Sequence, residues 1–396
     1  MKTKDRPPYS VPSMKDIAAI PWNGFNAVST FSGGGGSSLG YRMAGFRVLW
    51  ASEFIDEARR TYEANAAPYT TVDGRDIRTV NGSDILAATG LEVGEIDLFD
   101  GSPPCSSFST AGKRQKGWGK VKKYSDKAQR TDDLFFEFTR LIDELQPRTF
   151  VAENVSGLVK GAAKGYFIEI MRALKACGYR VTCRVLDAQW LGVPQARQRT
   201  IFVGVRDDLG LDPVHPSPLP YRYSIRDAVP WVRAVGGIRQ TGFAGSKMVD
   251  AKNPCPTILA GGGGMNTSQF GVEAETDISR YAIGREWDRI KPGQKSGKYL
   301  SLVKPKADAP CPTITASAGS TSTAGVCHPY EKRKFSIAEL KRLGGFPDDY
   351  ALTGSFAQQW ERIGRAVPPV MMFQIASAVR DGILSKCRDT PTEVSK

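Results

Sequence analysis

The sequence predicts an α/β fold in which a doubly wound mixed sheet is followed by a second, smaller, irregular β-rich domain. Short apolar runs typical of buried strands alternate with helical segments as far as residue 205. Beyond residue 206 prolines and glycines multiply, and long helical patterns do not return until residue 336. The 396 residues suffice for two such domains, each with its own hydrophobic core.

Composition and charge narrow the class of protein. The net charge of +13 and an isoelectric point near 9.4 favour a polyanionic partner such as nucleic acid. No apolar run approaches the roughly 18 residues of a membrane span. The basic N-terminus carries no apolar signal segment, so we expect a cytoplasmic protein without a membrane anchor. Seven cysteines without a C-x-x-C pair, and only two histidines, predict reduced thiols and no metal site.

The first predicted strand, residues 27–31, runs into a glycine-rich segment at 32–40. Four consecutive glycines let backbone N–H groups approach a ligand closely, and the helix that follows presents its positive N-terminal end. The lysine of a phosphate-binding P-loop is missing, which disfavours a nucleoside triphosphate.

Acidic residues end the second and third predicted strands. Glu53 follows strand 46–52 and is suited to hydrogen-bond both hydroxyls of a ribose, although an acid at a helix N-terminus would give the same pattern. Phe54 is placed to cover an adenine ring. Asp76 ends the short strand 72–77 and can accept a hydrogen bond from the adenine amino group. Together with the glycine loop, these residues predict a nucleoside-containing cofactor.

A cysteine on a stiff turn follows the fourth predicted strand. The apolar run 96–100 leads into Gly101–Pro104 and then Cys105, and the two consecutive prolines end the strand and keep the chain rigid. A thiol just past the end of a parallel strand suits a nucleophile, whereas an isolated Pro-Cys is more often a buried structural cysteine. The fifth predicted strand, 149–152, ends in Glu153, which places an acid at the same edge of the sheet.

The segment 113–130 is too polar to pack in a core. If the segment has a function, we expect a flap that closes on the phosphate backbone of a nucleic acid. The alternative is a charged segment that is only exposed to solvent. Its basic residues are Lys113, Arg114, Lys116, Lys120, Lys122, Lys123, Lys127 and Arg130.

An arginine pair lies between two strands that we expect to form a hairpin-like pair, residues 179–186 and 200–205. Alternation puts Gln195, Arg197 and Arg199 on one face of the connecting segment. Arginines spaced in this way often lie at the surface, but facing a polar site they would hold a base or a carboxylate.

Taken together, these motifs in this order resemble the DNA (cytosine-5) methyltransferase family, over residues 25–205 and 333–385. The joint pattern is far more specific than any single motif. The matching segments are Phe31–Gly40 for the cofactor loop, Glu53 for the ribose, Asp76-Ile77 for the adenine, Gly101–Cys105 for the nucleophile, Glu153-Asn154-Val155, Gln195-x-Arg197-x-Arg199, and 333–350.

The resemblance implies a Rossmann-like fold that binds S-adenosyl-L-methionine. It implies a catalytic cofactor-binding domain at 25–205, a target recognition domain at 206–332, and helices at 333–396 that return to the catalytic domain. Residues 1–24 are polar, basic and interrupted by prolines, so we expect an irregular N-terminal arm. The recognition domain would read DNA sequence from the major groove.

The implied chemistry begins with Cys105. Its thiolate would add to C6 of a cytosine that is flipped out of the duplex, which makes C5 nucleophilic enough to accept a methyl group. Glu153 would hydrogen-bond N3 and the exocyclic amine, Arg199 would hold O2 and order Glu153, and Arg197 would support Arg199.

Two groups of binding residues complete the prediction. The cofactor residues are Phe31, Ser32, Gly33, Gly35, Gly36, Glu53, Phe54, Asp76, Ile77, Pro104, Leu134, Arg365, Ala366 and Val367. The DNA-binding residues are Ser107, Ser109, Lys113, Arg114, Lys116, Lys120, Lys122, Lys123 and Gln195.

The expected partner is double-stranded DNA, bound by a monomer. By analogy we expect a prokaryotic or phage modification enzyme of the nucleoid, paired with a cognate restriction endonuclease. Two alternatives stay open: an RNA cytosine-5 methyltransferase and a catalytically inactive DNA-binding module.

One residue departs from the family's pattern. The last motif usually reads Gly-Asn-x-Val, but here it reads Gly364-Arg365-Ala366-Val367. A cation near the sulfonium of S-adenosylmethionine should weaken binding unless it is paired, so we expect Arg365 to turn to solvent or pair with a local carboxylate. The alternative is a donor with an extra carboxylate, carboxy-S-adenosyl-L-methionine, which Arg365 would bind to give 5-carboxymethylcytosine.

Overall fold

The computed structural model describes residues 6–104, 122–124, 127–129, 133–159, 164–231 and 276–389. Its strands are β1 (Asn26–Thr30), β2 (Arg47–Ser52), β3 (Thr71–Asp73), β4 (Leu98–Gly101), β5 (Lys122–Tyr124), β6 (Lys127–Gln129), β7 (Thr149–Val155), β8 (Tyr179–Asp187), β9 (Gln195–Ala196), β10 (Gln198–Arg206), β11 (Gln294–Lys295), β12 (Val303–Lys304) and β13 (Cys311–Pro312).

The α-helices connect and cover these strands. They are α1 (Met14–Ala18), α2 (Gly36–Met43), α3 (Asp56–Glu63), α4 (Gly82–Thr89), α5 (Leu134–Leu145), α6 (Lys164–Ala176), α7 (Ile225–Ala228), α8 (Ala282–Arg289), α9 (Ile337–Leu343), α10 (Phe356–Arg365), α11 (Pro369–Val379) and α12 (Ser385–Asp389), with a π-turn at Arg380–Leu384 between the last two.

A seven-stranded sheet organises the larger part of the molecule, in the order β3-β2-β1-β4-β7-β10-β8. Its first five strands are mutually parallel, and β10 is inserted antiparallel between β7 and β8. The predicted doubly wound mixed sheet is therefore confirmed. Because β1, β4 and β7 are in register through Thr30, Gly101 and Ala152, the segments that follow these residues emerge side by side at one edge.

Two apolar layers enclose the sheet. On one face, Phe135, Phe138 and Leu141 of α5 pack with Ile170 and Leu174 of α6. On the other face, residues of α2 and α11 pack together against the strands, among them Tyr41, Met371, Met372 and Ile375. The loops at the strand ends are thus fixed by two packed layers.

Two local predictions differ from the structure. The third strand was expected at 72–77, but it ends at Asp73, and residues 77–79 form a 3₁₀ turn capped by the side chain of Asp76. The 1–24 arm was expected to be irregular, yet it contains α1, because Ser13 and Asp16 form a capping box at its start.

A third core lies outside the sheet. In the described parts of 206–332, Ile225, Cys311 and Ile314 pack with Leu340 of α9 and Trp360 of α10. The strands there are two residues long, and β13 pairs with β9 across from Gln195. Helices α9 and α10 therefore share a core with this region, whereas α11 packs on α2. The predicted domain boundaries stay a prediction.

Candidate active site

A cavity of about 920 Å³ opens at the carboxyl ends of the strands. Its walls come from the ends of β1, β2, β3, β4 and β7, the β9–β10 junction, residues 313–320, and one face of α10. Of the predicted cofactor residues, Phe31, Ser32, Gly33, Gly36, Glu53, Phe54, Asp76, Ile77, Pro104, Leu134, Arg365, Ala366 and Val367 line it.

The glycine loop forms the floor of this cavity. Phe31 and Gly33 both have positive φ angles, 53° and 55°, and the Ser32 N–H donates to Ser52 O at 2.9 Å. A Cβ on Gly36 would collide with the carbonyl oxygen of Val367, so only glycine fits beneath the last motif. Gly35 stands apart from the cavity at the start of α2, where its φ of 89° and the nearby Tyr350 hydroxyl also require glycine.

Glu53 is buried beside this loop. Its two carboxylate oxygens accept hydrogen bonds from the main-chain N–H groups of Gly33, at 2.8 Å, and Ile55, at 2.7 Å. Burial raises the pKa of Glu53, and these two amides oppose the rise. Two backbone donors fix the carboxylate, and its remaining lone pairs face the cavity as acceptors.

The predicted adenine contacts line the same cavity. The side chain of Asp76 accepts from the Arg78 N–H and forms an ion pair with the Arg78 guanidinium at 3.1 Å. Ile77 and Leu134 are buried and give this part of the wall an apolar surface. An apolar wall with an acid beside it suits a purine ring.

Glu153 and Arg199 line the same cavity and form an ion pair, with Arg199 Nε and Glu153 Oε1 2.6 Å apart. Because Arg199 lies across from Val155 in the antiparallel β7–β10 ladder, it is the diagonal neighbour of Glu153 on the same face. Burial raises the pKa of Glu153, and the charges of Arg199 and Arg197 oppose the rise.

Arg197 is buried, and its guanidinium binds main-chain carbonyls. It donates to Gly364 O and Ala366 O, both at 2.9 Å, and to Ile314 O at 3.3 Å. Burial lowers its pKa. The side chain therefore joins the strand that carries Arg199 to the last motif and to the segment that follows β13.

Gln195 is the predicted DNA contact that this geometry does not favour. Its side chain is 2% exposed, its Nε2 donates to Leu343 O at 3.2 Å, and its Oε1 accepts from the Ile314 N–H at 3.4 Å. Arg197, two residues further along the Q-x-R-x-R segment, is buried as well. Both ends of the Gln195 amide are bonded within the protein, and the contact of Gln195 with DNA stays a prediction.

Arg365 pairs with a carboxylate on its own helix. Its Nε lies 2.7 Å from Glu361 Oε1, one turn earlier in α10, and the two side chains are 34% and 16% exposed. The expectation of a local carboxylate partner is confirmed. Glu361 also pairs with Arg362 at 3.3 Å, so one carboxylate serves two arginines of the cavity wall.

Sequence reasoning missed three residues that shape the cavity. Asn154 donates from Nδ2 to Pro103 O at 3.1 Å and so holds the turn before Cys105. Arg362 and Glu361 line the wall beside Arg365. In the sequence, Asn154 could have been found only from the E-N-V resemblance. Glu361 could have been found from its position four residues before Arg365.

Several predicted residues have no described position. Cys105, Ser107, Ser109, Lys113, Arg114, Lys116 and Lys120 lie outside the described residues. Lys122 and Lys123 belong to β5, which pairs antiparallel with β6.

Two general features concern metals and membranes. Among the described residues, no group of three or more histidine, cysteine or acidic side chains could hold a metal ion. None of the helices in the described ranges is long and apolar enough to cross a bilayer.

Comparisons with known proteins agree with this architecture. The Type II methyltransferase M.Sau96I of Staphylococcus aureus is 29% identical over 362 residues, which cover 91% of this chain and 77% of that protein. The Type II methyltransferase M.NgoFVII of Neisseria gonorrhoeae is 30% identical over 357 residues, covering 89% and 85%.

Solved structures share the fold. Spodoptera frugiperda DNMT2 superimposes with a TM-score of 0.58 at 15% identity, over 91% of this chain and 99% of that one. The family model for C-5 cytosine-specific DNA methylase matches residues 25–381. The chain therefore belongs to the C-5 cytosine-specific DNA methylase family.

Proposed function

We propose that the protein transfers a methyl group from S-adenosyl-L-methionine to C5 of a cytosine in double-stranded DNA. The observation that carries the proposal is the shared cavity, which brings a ribose-type acceptor, Glu53, and a base-type pair, Glu153 and Arg199, into one space. Family membership and the Type II relatives support DNA as the substrate.

The cavity residues fit the cofactor. Glu53 presents a fixed acceptor, Ile77 and Leu134 present an apolar wall, and Gly36 leaves room that a Cβ would remove. When bound, S-adenosylmethionine supplies the electrophilic methyl group for the reaction.

The protein's own residues prepare the cytosine. Cys105, as a thiolate, adds to C6 and turns C5 into a carbon nucleophile. Glu153 hydrogen-bonds the exocyclic amine and favours protonation at N3 as the adduct forms, and its raised pKa suits a group that holds this proton. Arg199 orders Glu153 and donates to O2. Loss of the C5 proton and elimination of Cys105 release the product base, which is extruded from the duplex during these steps.

Liquid chromatography and mass spectrometry of nucleosides, after incubation of duplex DNA with S-adenosylmethionine, tests this function. We expect 5-methylcytosine from the wild-type protein and none from Cys105→Ser. Transfer to tRNA but not DNA would replace the proposal with an RNA methyltransferase. No transfer to either, with DNA still bound, would favour the inactive module.

Carboxy-S-adenosylmethionine remains the competing donor because Arg365 lines the cavity. Arg365 already has a carboxylate partner in Glu361, and this is why we propose S-adenosylmethionine. Parallel reactions with each donor decide between them. We expect 5-methylcytosine to dominate, both in the wild type and in Arg365→Asn. Preferential formation of 5-carboxymethylcytosine, lost in Arg365→Asn, would reverse the assignment.

Three further expectations concern the cellular setting. The Type II relatives support a restriction–modification context, and with it a cognate endonuclease. A monomer on DNA and residence at the nucleoid are predictions that follow from the same analogy. Co-purification and sizing of the protein with and without duplex DNA would test the partner and the monomer.

A further inference from the structure

Asp100, the third residue of β4, is a buried carboxylate to which the chemistry above gives no role. It is 1% exposed, and it lies directly before the Gly101–Pro104 turn. Both of its side-chain oxygens are occupied: Oδ2 accepts from Ser29 Oγ at 2.8 Å, and Oδ1 accepts from the Tyr41 hydroxyl at 2.9 Å. A buried carboxylate is costly unless it is bonded in this way.

These hydrogen bonds reach the cofactor loop from both sides. The Ser32 hydroxyl lies 3.0 Å from Ser29 Oγ and also donates to Ser29 O, and Ser32 lines the cavity. Tyr41 belongs to α2, the helix that begins where the glycine loop ends. One carboxylate therefore holds the strand before the loop and the helix after it.

The main chain of the same residue holds the turn. The Asp100 carbonyl accepts from Thr30 Oγ1 at 3.0 Å, and the Ser102 N–H donates back to Thr30 O at 3.4 Å. Asn154 fixes the far side of the turn through Pro103 O. The cofactor loop and the turn consequently share one buried anchor.

The electrostatic setting supports a role beyond packing. Burial raises the pKa of Asp100 to about 7, and the nearby charge of Glu153 adds to the rise. The titratable groups that face it are Tyr41 on α2, Glu153 on β7 and Tyr62 on α3. An apolar side chain would fill this position in the core at lower cost, and buried polar networks of this kind tend to specify one arrangement of the groups they join.

We propose that Asp100 is a positioning residue that couples the cofactor loop, which is the glycine-rich segment 32–40, to the Gly101–Pro104 turn. Donor affinity and turnover then both depend on its carboxylate. The proposal rests on the function proposed above, and it assigns Asp100 no contact with donor or base.

The variant Asp100→Asn tests the coupling because an amide cannot accept from both hydroxyls without rearrangement. We expect the KM for S-adenosylmethionine to rise about 10-fold and kcat to fall about 10-fold, the size expected for a lost hydrogen bond to a charged group. Ser29→Ala breaks only the link to the loop, so KM for the donor should rise about 5-fold with kcat nearly unchanged. Ser29→Ala also keeps the test open if Asp100→Asn does not fold.

A matched control lies at the other end of the sheet. Tyr179→Phe removes a buried hydroxyl that donates to Pro147 O at 2.6 Å, far from the cavity edge. It should lower stability without changing either kinetic constant. The proposal is wrong if Asp100→Asn and Ser29→Ala match Tyr179→Phe in both KM and kcat. Donor binding by calorimetry, without DNA, separates the two proposals: a wild-type protein that binds the donor but forms no 5-methylcytosine refutes only the proposed function.

Discussion

Glu53 and Glu153 are two buried glutamates at the carboxyl ends of strands in the same sheet, yet their surroundings differ. Glu53 is held by two main-chain N–H groups, whereas Glu153 is held by the side chain of Arg199. Burial raises the pKa of each. Backbone donors cannot move or titrate, so Glu53 is suited to a fixed acceptor role. A side-chain partner can shift with the substrate, so Glu153 is suited to proton exchange with a base.

The largest effect should come from Glu153→Gln. The amide cannot exchange a proton with N3, so we expect kcat to fall by about 10²- to 10⁴-fold, as for the loss of a general acid or base. The dissociation constant for S-adenosylmethionine should stay within about twofold, since Glu153 is assigned to the base. Methyl transfer to DNA and calorimetry measure the two quantities. If Glu153→Gln turned over normally but bound the donor weakly, the roles assigned to the two glutamates would have to be reversed.

The converse change is Glu53→Gln. The side-chain NH2 group of the glutamine would then face a main-chain N–H that the carboxylate oxygen accepts from in the wild type. Because this loses a hydrogen bond and turns the side chain, the donor should bind about 10- to 100-fold more weakly. At saturating donor, kcat should remain close to that of the wild type. Asp56→Asn, in the first turn of α3, is the control and should change neither value. An unaltered donor affinity in Glu53→Gln would contradict the assignment.

Arg199→Lys tests whether Glu153 depends on its partner. Lysine carries all its donors on one nitrogen, so it cannot reproduce the fork in which Arg199 Nε meets Glu153 while Nη1 donates to Gln198 O at 2.8 Å, and we expect kcat to fall about 10-fold. Arg206→Lys changes an arginine at the other end of β10 that pairs with Asp208 at 2.7 Å, and methyl transfer should not respond. Equal rates for the two variants would show that Glu153 is ordered without Arg199.

The smallest effect is on the pH dependence of stability. It concerns the third buried carboxylate, Asp100, whose partners are hydroxyls. Its folded pKa of about 7 lies above the ordinary value of 3.8, so its contribution to stability is fully present below about pH 4 and is lost as the pH rises through about 7. Urea unfolding at about pH 5 and about pH 8 should show a larger loss for the wild type than for Asp100→Asn. Identical pH dependence would mean that Asp100 does not titrate in this range.

Local sequence patterns predicted most strands of the sheet well. Apolar runs marked β1 and β4 within a residue or two and the start of β7, because a buried parallel strand must be apolar on both faces; β7 itself continues three residues past its predicted end. They failed for the third strand, where Asp76 caps a 3₁₀ turn that alternation cannot distinguish from a strand end. They also missed α1, although serine, the residue type at position 13, is a common helix N-cap.

The candidate site also has features that the sequence predicts and features that it does not. The sequence by itself determined which residue types stand at the strand ends, because parallel strands place the residues that follow them at one edge. From that followed Glu53, Glu153 and the glycine loop, whereas the Q-x-R-x-R segment followed from the alternation of side chains along a strand. The types and their order were enough to indicate the family.

Only the tertiary structure decided what those side chains bind. Arg197 meets carbonyls 167 and 169 residues away, and Asp100 meets hydroxyls 71 and 59 residues away. Gln195, expected at DNA, is bonded at both ends of its amide inside the core. Such contacts depend on which elements pack together, and burial makes each of these polar groups take whatever partner the packing brings within reach.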